Sequence, residues 1–103
     1  MPVSPLVRAA LTVSNLERSR DFYVDVLGLS EVFLESAVEG GNMHALMGMP
    51  ASTRARICIL KTPGTPAYGM VGLFELADPA PPRLDFRGEG SRVGEPCLVF
   101  DCP

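Results

Sequence analysis

Residues 6–33 read LVRAALTVSNLERSRDFYVDVLGLSEVF, and the order of local signals in this stretch decides the fold. Residues 6–13 are apolar and partly β-branched, which predicts a strand. Ser14 and Glu17 then have the S-x-x-E spacing of a capping box, in which the hydroxyl caps a helix and the carboxylate reaches back to the Ser14 amide. The helix predicted to follow covers 15–27, with Leu16, Phe22, Tyr23, Val26 and Leu27 on one face. Gly28 suits the left-handed residue that ends it. Residues 29–37 form a second predicted strand. There Val32 and Leu34 alternate with Phe33 and Glu35, which leaves the buried face open.

Further along, Glu39-Gly40-Gly41-Asn42 is a turn cluster, and 43–49 (MHALMGM) is read as one short helical turn whose methionines fill core. Residues 54–61 (RARICILK) alternate clearly, with Ile57 and Ile59 on one face and Cys58 and Leu60 on the other. Lys61 ends this third strand and is expected in solvent. A fourth strand, 70–77 (MVGLFELA), follows a loop at 62–69. The core is expected to draw on Leu11, Val13, Phe22, Val26, Leu27, Ile57, Ile59, Leu73 and Phe100.

The element order is β-α-β-β-β with a single helical crossover. It predicts an α+β fold, a βαβββ module on a largely antiparallel curved sheet. Residues 1–77 are read as this first module. Residues 78–96, rich in proline and glycine, are read as a linker, and 97–103 as the start of a second, incomplete module opening on a strand at 97–100.

Composition excludes several functions. The 103 residues carry nine Lys and Arg against twelve Asp and Glu, scattered through the chain, so no nucleic-acid partner is expected. No apolar run approaches the roughly 20 residues of a membrane span, and the N-terminus lacks a signal-peptide pattern. A cytoplasmic location is the expectation. Three cysteines, Cys58, Cys97 and Cys102, form no CxxC pair, which argues against a disulfide framework or a structural zinc site. One histidine, His44, cannot support a nucleophile–base pairing without a further motif. No phosphate-cradling glycine motif is present.

The opening stretch resembles that of vicinal-oxygen-chelate (VOC) proteins, the glyoxalase, bleomycin-resistance and extradiol-dioxygenase group. The matching features are the strand, then Val13-Ser14-Asn15-Leu16-Glu17-Arg18-Ser19, the aromatic pair Phe22-Tyr23 and the Val26-Leu27-Gly28-Leu29 exit. ALMGMP (45–50), ARICIL (55–60), GMVGLFELADPAPP (69–82) and GEPCLVFDCP (94–103) follow in the order of the later family elements. The resemblance implies two βαβββ modules forming a cup around a small molecule. It also implies a divalent metal (Zn, Ni, Fe or Mn) held by His- or Glu-type residues on the first and last strands of each module. The chemistries implied are glyoxalase-like lyase or isomerase reactions, ring-cleaving dioxygenation, thiol transfer to an epoxide, and drug sequestration without catalysis.

Carried onto this chain, the family's first-strand ligand falls on Arg8. A guanidinium stays protonated and repels a cation. The fourth-strand ligand falls on Gly72, which has no side chain. Glu75 lies three residues on and is expected on the opposite face; ion pairing with Arg8 or Arg56 is weighed against ligation. The next module's first ligand falls on Cys97, either a thiolate donor or a small core residue. No metal site is therefore expected, and no cofactor. Arg8, Glu75 and Cys97 remain as candidate ligand-binding residues, with no catalytic residue assigned.

Three functions stay open. The first is a glyoxalase-like protein that binds a small organic ligand, anionic if Arg8 faces the cup, without a complete metal site. The second is a metal-dependent lyase (lactoylglutathione lyase-like) or ring-cleaving dioxygenase. The third is an inactive fragment, or a half-module that dimerises to complete the cup. A homodimer is expected in the first and last cases.

Overall fold

The computed structural model describes residues 2–39, 43–83, 90, 91, 93 and 95–102. Strand β1 is Arg8–Thr12, helix α1 is Leu16–Asp21 and continues as a π-helical turn over Phe22–Val26, and β2 is Glu31–Glu39. Helix α2 is Met43–Leu46, β3 is Arg54–Lys61 and β4 is Met70–Ala77. The strands form one sheet in the order β1-β4-β3-β2. The β2/β3 and β3/β4 pairs are antiparallel, and β1 runs parallel to β4. The α+β reading and the βαβββ order both hold. Backbone bonds from Gly69 to Leu6, Met70 to Val7 and Val13 to Phe74 extend the β1–β4 ladder across the predicted 6–13.

The helix begins one residue later than the S-x-x-E spacing predicts. Asn15, in extended conformation, is the cap, and its Oδ1 accepts the Arg18 amide at 3.0 Å. Glu17 thereby leaves the capping position and pairs instead with Arg56 on β3. A π-turn takes more residues per turn than an α-helix and so rotates the side chains that follow. Tyr23 and Val24 consequently pack on the core, while Phe22, Val26 and Leu27, expected there, are 48%, 68% and 42% exposed. Gly28 is left-handed at φ 78°, as its position predicts; its amide and that of Leu29 donate to the Val24 and Tyr23 carbonyls.

Alternation along each strand divides the apolar residues between two faces. Beneath α1, Leu16, Leu29, Cys58, Leu60, Val71 and Leu73 form one buried cluster, joined by Leu11, Val13, Tyr23, Val24 and Leu98. On the second face Ala55, Ile57, Ile59, Met70 and Leu76 form another, covered by Val38, Phe74 and the methionines Met47 and Met49 beside α2. The ambiguity in β2 has a structural cause. A bulge at Phe33 shifts the register, so Val32 pairs with Leu60 but Leu34 with Ile59, on opposite faces.

Two further expectations are corrected. Residues 97–100 pair with no strand among the described residues, and Phe100 is 46% exposed. Lys61 is buried at 6% exposure, because its ammonium bonds Glu31 Oε2 at 2.9 Å while Oε1 of the same carboxylate accepts the Gly64 amide at 3.2 Å. A charge leaves water only where such partners replace its hydration. Residues 40–42 of the predicted turn and most of 84–94 of the predicted linker lie outside the described residues.

Candidate functional site

Register places Arg8 on the second face, beside Met70 of β4. From there Arg8, Ala10 and Thr12 point away from α1 and are exposed, whereas Ala9 and Leu11 are partly buried on the helix side. Arg8 has no hydrogen-bond or ion-pair partner among the described residues. Gly72 is the Cα partner of Ala10 and shares this face. A Cβ at Gly72 would lie 3.2 Å from Phe74 Cε1, 3.6 Å from the Ala9 carbonyl and 3.7 Å from Ile59 Cγ1. The Phe74 ring therefore leans over the glycine and occupies the space a longer side chain would need.

Glu75 belongs to the helix face. Its Oε2 accepts the Leu16 amide at 2.7 Å, and its Oε1 lies 3.5 Å from Arg56 Nη1. A carboxylate distant in sequence thus supplies one of the acceptors that the first turn of α1 lacks, where negative charge is also favoured by the helix dipole. Of the two partners considered for it, the structure gives Arg56 and not Arg8. Cys97 is exposed in the unpaired segment after the linker. Its neighbours Pro96, Leu98 and Phe100 alternate inward and, with Leu11, Phe22, Tyr23 and Leu27, line a hollow of about 440 Å³. The structure thus does not bring Arg8, Glu75 and Cys97 together.

The metal implied by the resemblance does not fit the residues present. The two positions on the second face carry a guanidinium and a glycine, and Glu75 is committed to the opposite face. Among the described residues no three His, Cys, Asp or Glu side chains converge. His44 sits in α2 with a buried Nδ1 that has no hydrogen-bond partner among the described residues.

The ion pairs on both faces tie structural elements together. The hydrogen bond from Arg56 is the main cause holding the Glu17 carboxyl below its ordinary 4.5, and Glu17 in turn raises the Arg56 guanidinium. The bond from Lys61 likewise lowers the Glu31 carboxyl below 4.5. A carboxyl depressed on folding adds stability above its unfolded value and loses it as pH falls through the folded one. The melting temperature should accordingly hold near neutral pH and fall once the pH drops below about 4.5. Thermal melts across that range check this, and Glu31→Gln should flatten part of the slope. Burial pushes the Cys58 thiol up, which keeps it protonated and inert.

Glu75 as a helix cap and the Glu31–Lys61–Gly64 tie were not foreseen. No local pattern signals either, since each joins elements distant in sequence or a strand end to a loop amide.

A four-stranded βαβββ sheet with a helix packed on one face defines the class: a module of the glyoxalase type of fold. A glyoxalase family protein from Bacillus cereus, known from a crystal structure, superposes with a TM-score of 0.68 over 88% of this chain and 60% of that one. At 15% identity the likeness is one of fold, and this chain spans less than two thirds of that protein. The family model for the Glyoxalase/Bleomycin resistance protein/Dioxygenase superfamily matches residues 6–84. The chain belongs to that superfamily. No curated protein matches it.

Proposed function

We propose that this chain is a glyoxalase-superfamily binding module that holds a small organic anion on its second face through Arg8, without a metal. The observation that carries this reading is an exposed guanidinium with no partner among the described residues, on the same face as a glycine two residues along the neighbouring strand where the resemblance implies a metal ligand. Arg presents a planar fork of donors that matches a carboxylate or phosphate. Charge-assisted bonds of this kind contribute about 1.5–3 kcal/mol. Arg8→Gln keeps a polar side chain and removes the charge, so it should weaken binding of acetate or inorganic phosphate by about tenfold or more. Titration calorimetry in the presence of a chelator reads this directly. Equal affinity in the two proteins would remove Arg8 from the site.

The same reading includes a second copy as partner. The sheet is open, and Phe22, Val26 and Leu27 on one side and Val32, Phe33 and Leu34 along β2 leave apolar surface in water. Burying such surface yields roughly 25 cal/mol per Å². A homodimer is the expected species at micromolar concentration by sedimentation equilibrium. A monomer with a cooperative melt would show that the module is self-sufficient.

A further inference from the structure

On the helix side, the hollow of about 440 Å³ has walls from three parts of the chain. Phe22, Tyr23 and Leu27 come from the π-helical turn and its exit, Leu11 from β1, and Leu98 and Phe100 from the segment after the predicted linker. Leu11, Tyr23 and Leu98 also pack on the buried cluster beneath α1, which holds that part of the lining in place. Phe22, Leu27 and Phe100 are about half exposed and leave ring and aliphatic carbon in water. Helical spacing assigns Phe22 and Leu27 to the core, but the π-turn swings both out of it and onto this hollow. Such turns are rare in proteins and recur at functional sites. Phe22 and Tyr23 stand edge to face, with centroids 5.3 Å apart and planes at 85°, an arrangement that a further ring can extend. Among the described residues the lining side chains carry no charge, and the Tyr23 hydroxyl is their one polar group.

We propose that this hollow is a second binding site, for one uncharged ring-bearing molecule, on the opposite side of the sheet from Arg8. Its volume falls within the roughly 300–1,000 Å³ of small-molecule sites, which are mostly apolar with few polar groups. A charged ligand would leave water there without a counter-ion among the lining side chains. A neutral ring instead covers the wet carbon of Phe22, Leu27 and Phe100 and adds edge-to-face contacts to their rings. Val26 does not line the hollow and is left for contact with a second copy. The site does not depend on Arg8.

The test is a fluorescence titration of the whole chain with two dyes that share one ring system, neutral N-phenylnaphthylamine and the anionic anilinonaphthalenesulfonate. The neutral dye is expected to fill a single saturable site, at about tenfold lower concentration than the anionic one. Phe22→Ala and Phe100→Ala should each weaken its binding by about tenfold, and the exposure of both residues should leave the fold intact. Phe22→Leu, which keeps apolar volume and drops the ring, should weaken it too if the alanine variant does not fold. Val26→Ala and Arg8→Gln should leave it unchanged. Equal binding in Phe22→Ala, Phe100→Ala and Val26→Ala would mean scattered apolar surface and would overturn the site. A preference for the anionic dye that is lost in Arg8→Gln would put the rings on the other face, with the same consequence. Binding that weakens as rising protein concentration drives dimerisation, followed by sedimentation, would give the hollow to a second copy and also overturn it. Failure of the neutral dye while phosphate still binds would overturn this site alone and leave the anion reading standing.

Discussion

Leu73→Ala is expected to cost about 2–5 kcal/mol, the usual range for emptying a buried leucine site. Leu73 is 0% exposed at the centre of the cluster beneath α1, with Cys58 beside it on β3 and Leu11 on β1. A truncation there leaves a void that three strands and a helix must all move to fill. A small domain has a total of only about 5–15 kcal/mol. The melting temperature should fall by more than about 10 °C, or the cooperative transition should disappear. Phe22→Ala is the informative contrast. Read as core, Phe22 would cost about 3–5 kcal/mol. At 48% exposure it should cost well under half of that. Comparable losses in the two variants would mean that the π-turn does not rotate Phe22 outward, or that a partner covers it.

Gly72→Glu is expected to destabilise the protein without creating a metal site. The glycine is buried, and the first added carbon already meets Phe74 Cε1 at 3.2 Å. Overpacking costs about 1–3 kcal/mol, and a carboxylate among Ile59, Phe74 and Ala10 adds the cost of a poorly solvated charge. Arg8, registered two residues back on the neighbouring strand, is a compensating cation and a repulsive neighbour for any metal. Thermal melts and elemental analysis of the purified variant check both halves. An unchanged melt with one equivalent of zinc or nickel would show that the Phe74 ring yields and that the metal position is open.

The parts of the fold legible in the sequence are those set by neighbours along the chain. The alternation of 54–61, the apolar run of 70–77 and Gly28 each act within a few residues, and each appears in the structure as expected. The π-turn and the Phe33 bulge do not work that way. They follow from how the helix and β2 settle on strands β3 and β4, which no local spacing encodes. The same distinction explains the core. Ile57, Ile59 and Leu73 lie on central strands and are buried, whereas Phe22 and Leu27 depend on the phase of a helix whose turn widens midway. Site residues divide likewise. The shared face of Arg8 and Gly72 follows from strand register, and the role of Glu75 at the helix terminus emerges only when β4 and α1 meet.

The central claim, an anion held by Arg8 on a metal-free face, is tested most directly at the guanidinium itself. Titration of phosphate into the protein, with a chelator present throughout, is followed at the Arg8 Nε–H resonance. The account predicts a saturable shift of that signal, with the signals of Arg54 and Arg56 on the other face unmoved. An Arg8 signal that stays fixed through the titration, or a response that needs added divalent metal, would contradict it.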